Sequence, residues 1–134
     1  MKAKLECVVL DCPDPIALAE FYRSIIGGTV NQPDRRWTTE YGDATLHLES
    51  GFVLNFQLVE DYRPPRWPDP AFPQQFHLDF AVPDLDEAQE EVLALGATLL
   101  DDTQGWRTLA DPVGHPFCLV RDWSLLPDDG EAAG

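Results

Sequence analysis

The chain predicts an α+β fold made of two strand–helix–strands units, and three observations carry that prediction. A strand signature ending in a helix-opening Pro-Asp pair occurs twice, as Cys7-Val8-Val9-Leu10-Asp11-Cys12-Pro13-Asp14 and as Phe76-His77-Leu78-Asp79-Phe80-Ala81-Val82-Pro83-Asp84. Each copy is followed by an apolar stripe of helical period that glycine stops. Each stripe gives way to short segments in which apolar and polar residues alternate, the mark of strands with one face on a core.

Taken in order, Leu5 to Asp11 reads as a strand with Val8 and Leu10 on one face and Cys7, Val9 and Asp11 on the other. Asp14 is a helix N-cap and Pro15 suits the first helical position. Leu18, Phe21, Tyr22 and Ile25 form the stripe that Gly27-Gly28 ends. Strands are expected over Thr29–Gln32, Trp37–Tyr41, Thr45–Glu49 and Phe52–Val59. In the last of these Leu54 and Phe56 face a core while Asn55 and Gln57 face away. Residues 61–75 hold five of the twelve prolines, which predicts a stiff, extended linker with Trp67 and Phe72 docked on the surface, or else an arm over a pocket. The second unit, residues 76–122, repeats the first: a strand from Phe76 to Val82, a helix capped by Asp84 with Leu85, Ala88, Val92 and Leu95 on its stripe, and strands over Thr98–Leu100, Trp106–Ala110 and Pro116–Arg121. His115 falls in a turn, and residues 123–134 form an acidic tail.

Composition bounds the function. A length of 134 residues with 44% hydrophobic and 25% charged residues suits a single domain with a true core. Nine Lys and Arg against twenty-four Asp and Glu give a net charge of −15, which disfavours nucleic acid and anionic membrane as partners and favours cations. Three widely spaced cysteines argue against a disulfide framework and for a reducing compartment. The only early apolar run, Cys7 to Leu10, is too short for a signal peptide or a span, so a cytoplasmic protein is expected.

The polar faces of the first and last strands of each unit hold the candidate chemistry. His77 and Asp79 are candidates for general acid/base work, and Asn55, Gln57 and His47 for ligand contacts. Trp37 and Trp106 suit the wall of an aromatic-ligand site, although tryptophan also fills cores. Cys7 and Cys118 read either as small buried hydrophobes or as ligands.

Four segments, Asp14 to Gly27, His77-Leu78-Asp79, Asp84 to Ala97 and Asp111 to Leu119, together resemble the vicinal oxygen chelate superfamily of glyoxalase-like, bleomycin-resistance and extradiol dioxygenase proteins. The resemblance implies paired βαβββ modules whose sheets curl around a cleft, and a homodimer. It also implies four metal-ligand positions, which fall on Cys7, Gln57, His77 and Cys118. His77 and Gln57 keep usual ligand types, whereas two cysteines would shift any metal toward zinc. The expectation is a binder of a small organic molecule that lacks the standard metal site. The alternatives are a divalent-metal lyase, isomerase or dioxygenase, and an acidic protein that sequesters cationic drugs.

Overall fold

The computed structural model describes residues 1–2, 5–32, 42–73 and 77–122. The chain divides between Pro64 and Pro65 into two compact units. Each holds one helix and one four-stranded sheet.

The first unit runs β1 (Val8–Cys12), α1 (Pro15–Ile26), β2 (Thr29–Val30), β3 (Ala44–His47) and β4 (Val53–Leu58), with sheet order β1-β4-β3-β2. β1 lies parallel to β4 and the other pairs are antiparallel, so α1 is the crossover that a parallel pair demands. The side chain of Asp14 accepts from the Ala17 N–H at 3.2 Å, and Pro15 fills a position whose N–H would have no partner. Gly27 closes the helix with φ 75°, its N–H donating to the Arg23 carbonyl. Gly28 is needed for a second reason: a Cβ there would lie 2.7 Å from the His47 carbonyl oxygen. Leu18 and Tyr22 bury one face of α1, which packs on β3 and β4 where Leu46, Leu54 and Phe56 are also buried, with the Tyr22 ring stacked 5.8 Å from Phe56.

β2 ends two residues earlier than the alternation suggested. Asn31 takes φ 55°; its N–H donates to the Thr45 carbonyl and its side-chain oxygen accepts from the Thr45 N–H, replacing the next rung of the ladder. β1 starts at Val8, three residues later than the alternation suggested, and Leu5 is exposed. The strand expected over Trp37–Tyr41, Phe76 and the tail lie outside the described residues.

The second unit runs β5 (Leu78–Val82), α2 (Leu85–Ala94), β6 (Thr98–Asp101), β7 (Arg107–Ala110) and β8 (Pro116–Arg121), in sheet order β5-β8-β7-β6. The parallel pair is now β5 with β8. Asp84 caps α2 through the Glu87 N–H at 3.0 Å, and Asp86 and Glu87 in the first turn suit the positive end of the helix dipole. Only Val92 of the helix is fully buried, and Leu95 lies past its last turn, exposed. Arg107 supplements this thin packing: its Nε donates to Gln89 Oε1 at 2.8 Å and a terminal nitrogen pairs with Asp86 at 2.6 Å. Leu109, Phe117 and Leu119 form the core on that face, with Phe80 edge-on to Phe117.

The proline-rich stretch is not extended over 66–72. The Arg66 N–H donates to the Phe72 carbonyl, Asp69 and Phe72 close successive turns, and the Arg66 guanidinium sits 4.4 Å from the Phe72 ring centre. Proline excludes ladder and helix but leaves turns available, and turns are what form. Among the described residues no helix is long and apolar enough to cross a membrane.

The turn before β8 depends on one buried carboxylate. Asp111 is 3% exposed and its Oδ1 accepts from the Val113 and His115 N–H groups at 2.9 and 3.0 Å. Asp111→Ala would leave both amides without that acceptor. We expect a loss of about 2–3 kcal/mol in urea unfolding, against about 1 kcal/mol for the exposed cap variant Asp84→Ala; equal losses would deny the turn its special weight.

Candidate functional site

The site follows from strand register in the second unit. β5 pairs β8 with Asp79 opposite Cys118, and β7 pairs β8 with Thr108 opposite Cys118. Asp79, Cys118 and Thr108 therefore form a row across three strands, on the face opposite Phe80, Phe117 and Leu119. His77 stands one pleat earlier on the same face, just before β5 begins.

Distances make this row a cluster. His77 Nε2 lies 3.3 Å from Asp79 Oδ1, with both side chains about half exposed. Thr108 Oγ1 lies 3.6 Å from Cys118 Sγ. The donor atoms of His77, Asp79 and Cys118 all fall within 4.8 Å of one another. Burial pushes the Cys118 thiol up; the Thr108 hydrogen bond works the other way, and the Asp79 carboxylate raises it further. The thiol thus holds its proton, and the imidazole–carboxylate pair lies beside it.

A cavity of about 390 Å³ opens over this cluster. Trp67 and Trp106 lie on its wall, and Pro116 and Val120 add apolar surface to the polar row. Trp106, anticipated as a wall residue, is there. Trp67 comes from the folded 66–72 loop. The proline-rich stretch, read as a surface linker or else an arm over a pocket, thus puts Trp67 at this cavity; Thr108 was not a candidate, although its place in the β7–β8 hairpin made it recoverable.

The corresponding face of the first unit holds the other candidates. Val9, Asn55 and Thr45 are aligned across β1, β4 and β3, and His47 lies opposite Val53. Thr45 Oγ1 and His47 Nε2 are 2.8 Å apart and both residues are buried. Asn55 Oδ1 is buried without a hydrogen-bond partner among the described residues. Cys7 is half-buried just before β1, its thiol raised by burial and then by Glu6. Gln57 is exposed opposite Asp11. Trp37 lies outside the described residues.

The sequence sets Gln57 and Cys118 at matching positions on the last strands of the two units, and these registers revise that match. The row Val9–Asn55–Thr45 matches Asp79–Cys118–Thr108, so Asn55 stands where Cys118 does and Gln57 matches Val120. Alternation alone leaves a two-residue slip undetermined, because every second residue shows the same face.

Two four-stranded sheets, each with its crossover helix and a parallel pair of outer and neighbouring strands, are the paired βαβββ modules of the vicinal oxygen chelate superfamily. The family model described as a glyoxalase-like domain matches residues 7–120, and the chain belongs to that family. No curated protein gives a significant match. Among solved structures, a glyoxalase/bleomycin resistance protein/dioxygenase family enzyme from Burkholderia phytofirmans PsJN is 19% identical, with TM-score 0.65, over 87% of this chain and 97% of its own. A glyoxalase/dioxygenase from Nostoc punctiforme is 22% identical, with TM-score 0.62, over 87% and 88%. The oxidase ChaP-H2 is 19% identical, with TM-score 0.59, over 91% and 95%. At these identities the likeness is one of fold.

Metal use in this superfamily makes the donor set of the cluster worth testing. An imidazole nitrogen, a carboxylate oxygen and a thiol sulfur are a set that suits zinc, and three protein ligands leave a position open. Zinc would require the Cys118 proton to leave. In metal-free protein, then, alkylation of Cys118 followed by peptide mapping should still accelerate above pH ~9, because a raised pKa keeps the thiolate scarce at neutrality. A rate already level at neutral pH would contradict the assigned environment.

Proposed function

We propose that this glyoxalase-like protein binds a small organic molecule in the cavity of its second unit without a tightly held metal. The observation that carries the reading is the pairing, in about 390 Å³, of two tryptophans with the His77–Asp79 pair. That volume lies in the range of small-molecule sites, roughly 300–1,000 Å³. The indoles supply apolar contact area, and the polar row orients the guest through hydrogen bonds. His77, beside Asp79, is the group placed to exchange a proton with a bound molecule, which makes acid–base chemistry the reaction class if the protein turns its ligand over. No role in this cavity is proposed for Asn55, Gln57, His47 and Cys7 of the first unit, or for Trp37.

A cytoplasmic homodimer goes with this reading, on the strength of the three widely spaced cysteines and the family resemblance; light scattering at twice the chain mass is the expected result. Indole serves as a neutral probe of the cavity. Trp106→Ala and Trp67→Ala should each weaken its binding about ten-fold by calorimetry, and unchanged affinity in both would remove the cavity from the reading.

One observation favours a second reading, a divalent-metal lyase, isomerase or dioxygenase: the convergence of His77, Asp79 and Cys118 donor atoms. Those residues would hold the ion, and the ion would polarise a substrate oxygen when bound. Protein purified without chelator decides between the two. Stoichiometric metal that is lost in His77→Ala and Cys118→Ser supports the second and sinks the first; metal-free protein that still binds indole does the reverse.

A further inference from the structure

We propose that the cavity selects organic cations bearing a flat aromatic or heterocyclic group, with Asp79 as the counter-charge and the two indoles as the surface for the ring. The inference rests on the metal-free reading above, since a bound divalent ion would consume the Asp79 charge.

The charge of the cavity wall points this way. Among the described residues of the wall, Asp79 is the carboxylate, and neither lysine nor arginine lines it. An anionic guest would meet that carboxylate with no lysine or arginine of the described wall to offset it, and a neutral one would leave the acceptor directions not used by His77 to water. A cation instead finds an accessible partner, for the Asp79 side chain is 55% exposed. The imidazole of His77 occupies one of its acceptor directions, and a carboxylate offers about four.

The walls add to this preference. Indole is the strongest of the aromatic side chains toward a nearby cation, and Trp67 and Trp106 both reach the cavity. Pro116 and Val120 provide apolar contact for a ring but offer no side-chain donor to an anion. On the scale of the whole chain, a net charge of −15 concentrates cations near any opening. At about 390 Å³ the space is at the small end of ligand sites, which suits one bicyclic ring system with a short charged arm.

Three indoles that differ only at the end of the arm test the idea: tryptamine, tryptophol and indole-3-acetate. Each is titrated calorimetrically into full-length, chelator-treated protein at neutral pH and low ionic strength. Tryptamine should bind about ten-fold more tightly than tryptophol, with indole-3-acetate weakest. Asp79→Asn should bring tryptamine down to tryptophol, and Asp79→Glu should keep much of the gap; circular dichroism confirms that both variants are folded. Equal affinities of tryptamine and tryptophol in the wild type, both lost in Trp106→Ala, would overturn the charge selectivity and leave the cavity reading standing. A tryptamine preference that survives Asp79→Asn would overturn the role of Asp79. Failure of all three probes to bind would remove the inference together with the reading beneath it.

Discussion

The parallel pairing of β5 with β8 is the constraint on which the candidate site depends. Parallel neighbours cannot be joined by a tight turn, so the chain must leave the sheet, run through α2 and three further connections, and return beside its own start. That return sets Cys118 opposite Asp79 although nearly forty residues separate them in sequence. Two capping carboxylates hold the geometry: Asp84 starts the crossover helix, and Asp111 fixes the turn that launches β8. With the register set, pleating alone puts His77, Asp79, Cys118 and Thr108 on one face and Phe80, Phe117 and Leu119 on the other.

The two units share this frame but not its chemistry. The row that reads Asp79, Cys118 and Thr108 in the second sheet reads Val9, Asn55 and Thr45 in the first, and the histidine before β5 is matched by Cys7 before β1. The frame needs caps, a helix stripe and an apolar sheet face, and both copies keep them. It places no demand on the opposite face, which is free to differ. Thr45 accordingly hydrogen-bonds the buried His47, whereas Thr108 touches the Cys118 thiol. Packing differs too: Leu10 and Cys12 of β1 are fully enclosed in the first unit, while their counterparts Phe80 and Val82 of β5 remain half-buried in the second, where Arg107 secures the helix with polar bonds.

Much of the fold was legible in the sequence because it is written in local signals. Asp14 and Asp84 cap the helices they were expected to cap, Gly27 ends α1, and β8 spans Pro116 to Arg121 as its alternation indicated. The His77–Asp79 neighbourhood was legible for the same reason, two residues apart being one face of a strand. Non-local features were not. Register between strands decides that Asn55 rather than Gln57 matches Cys118, and a period of two cannot reveal a slip of two. Trp67 sits in a segment whose prolines left open a plain linker or an arm over a pocket, and its arrival at the cavity goes with turns closed by Arg66, Asp69 and Phe72.

The central claim, that ligand chemistry resides on the polar face of the second sheet, can be put to the protein's own three histidines. His77 stands at the cavity, His47 is buried in the first unit, and His115 belongs to the turn before β8. Their ring protons, resolved by NMR and assigned with single variants, report independently during a titration with tryptamine. Saturable displacement of the His77 signals with those of His47 unmoved is the predicted result; movement at His47 while His77 stays still would contradict it.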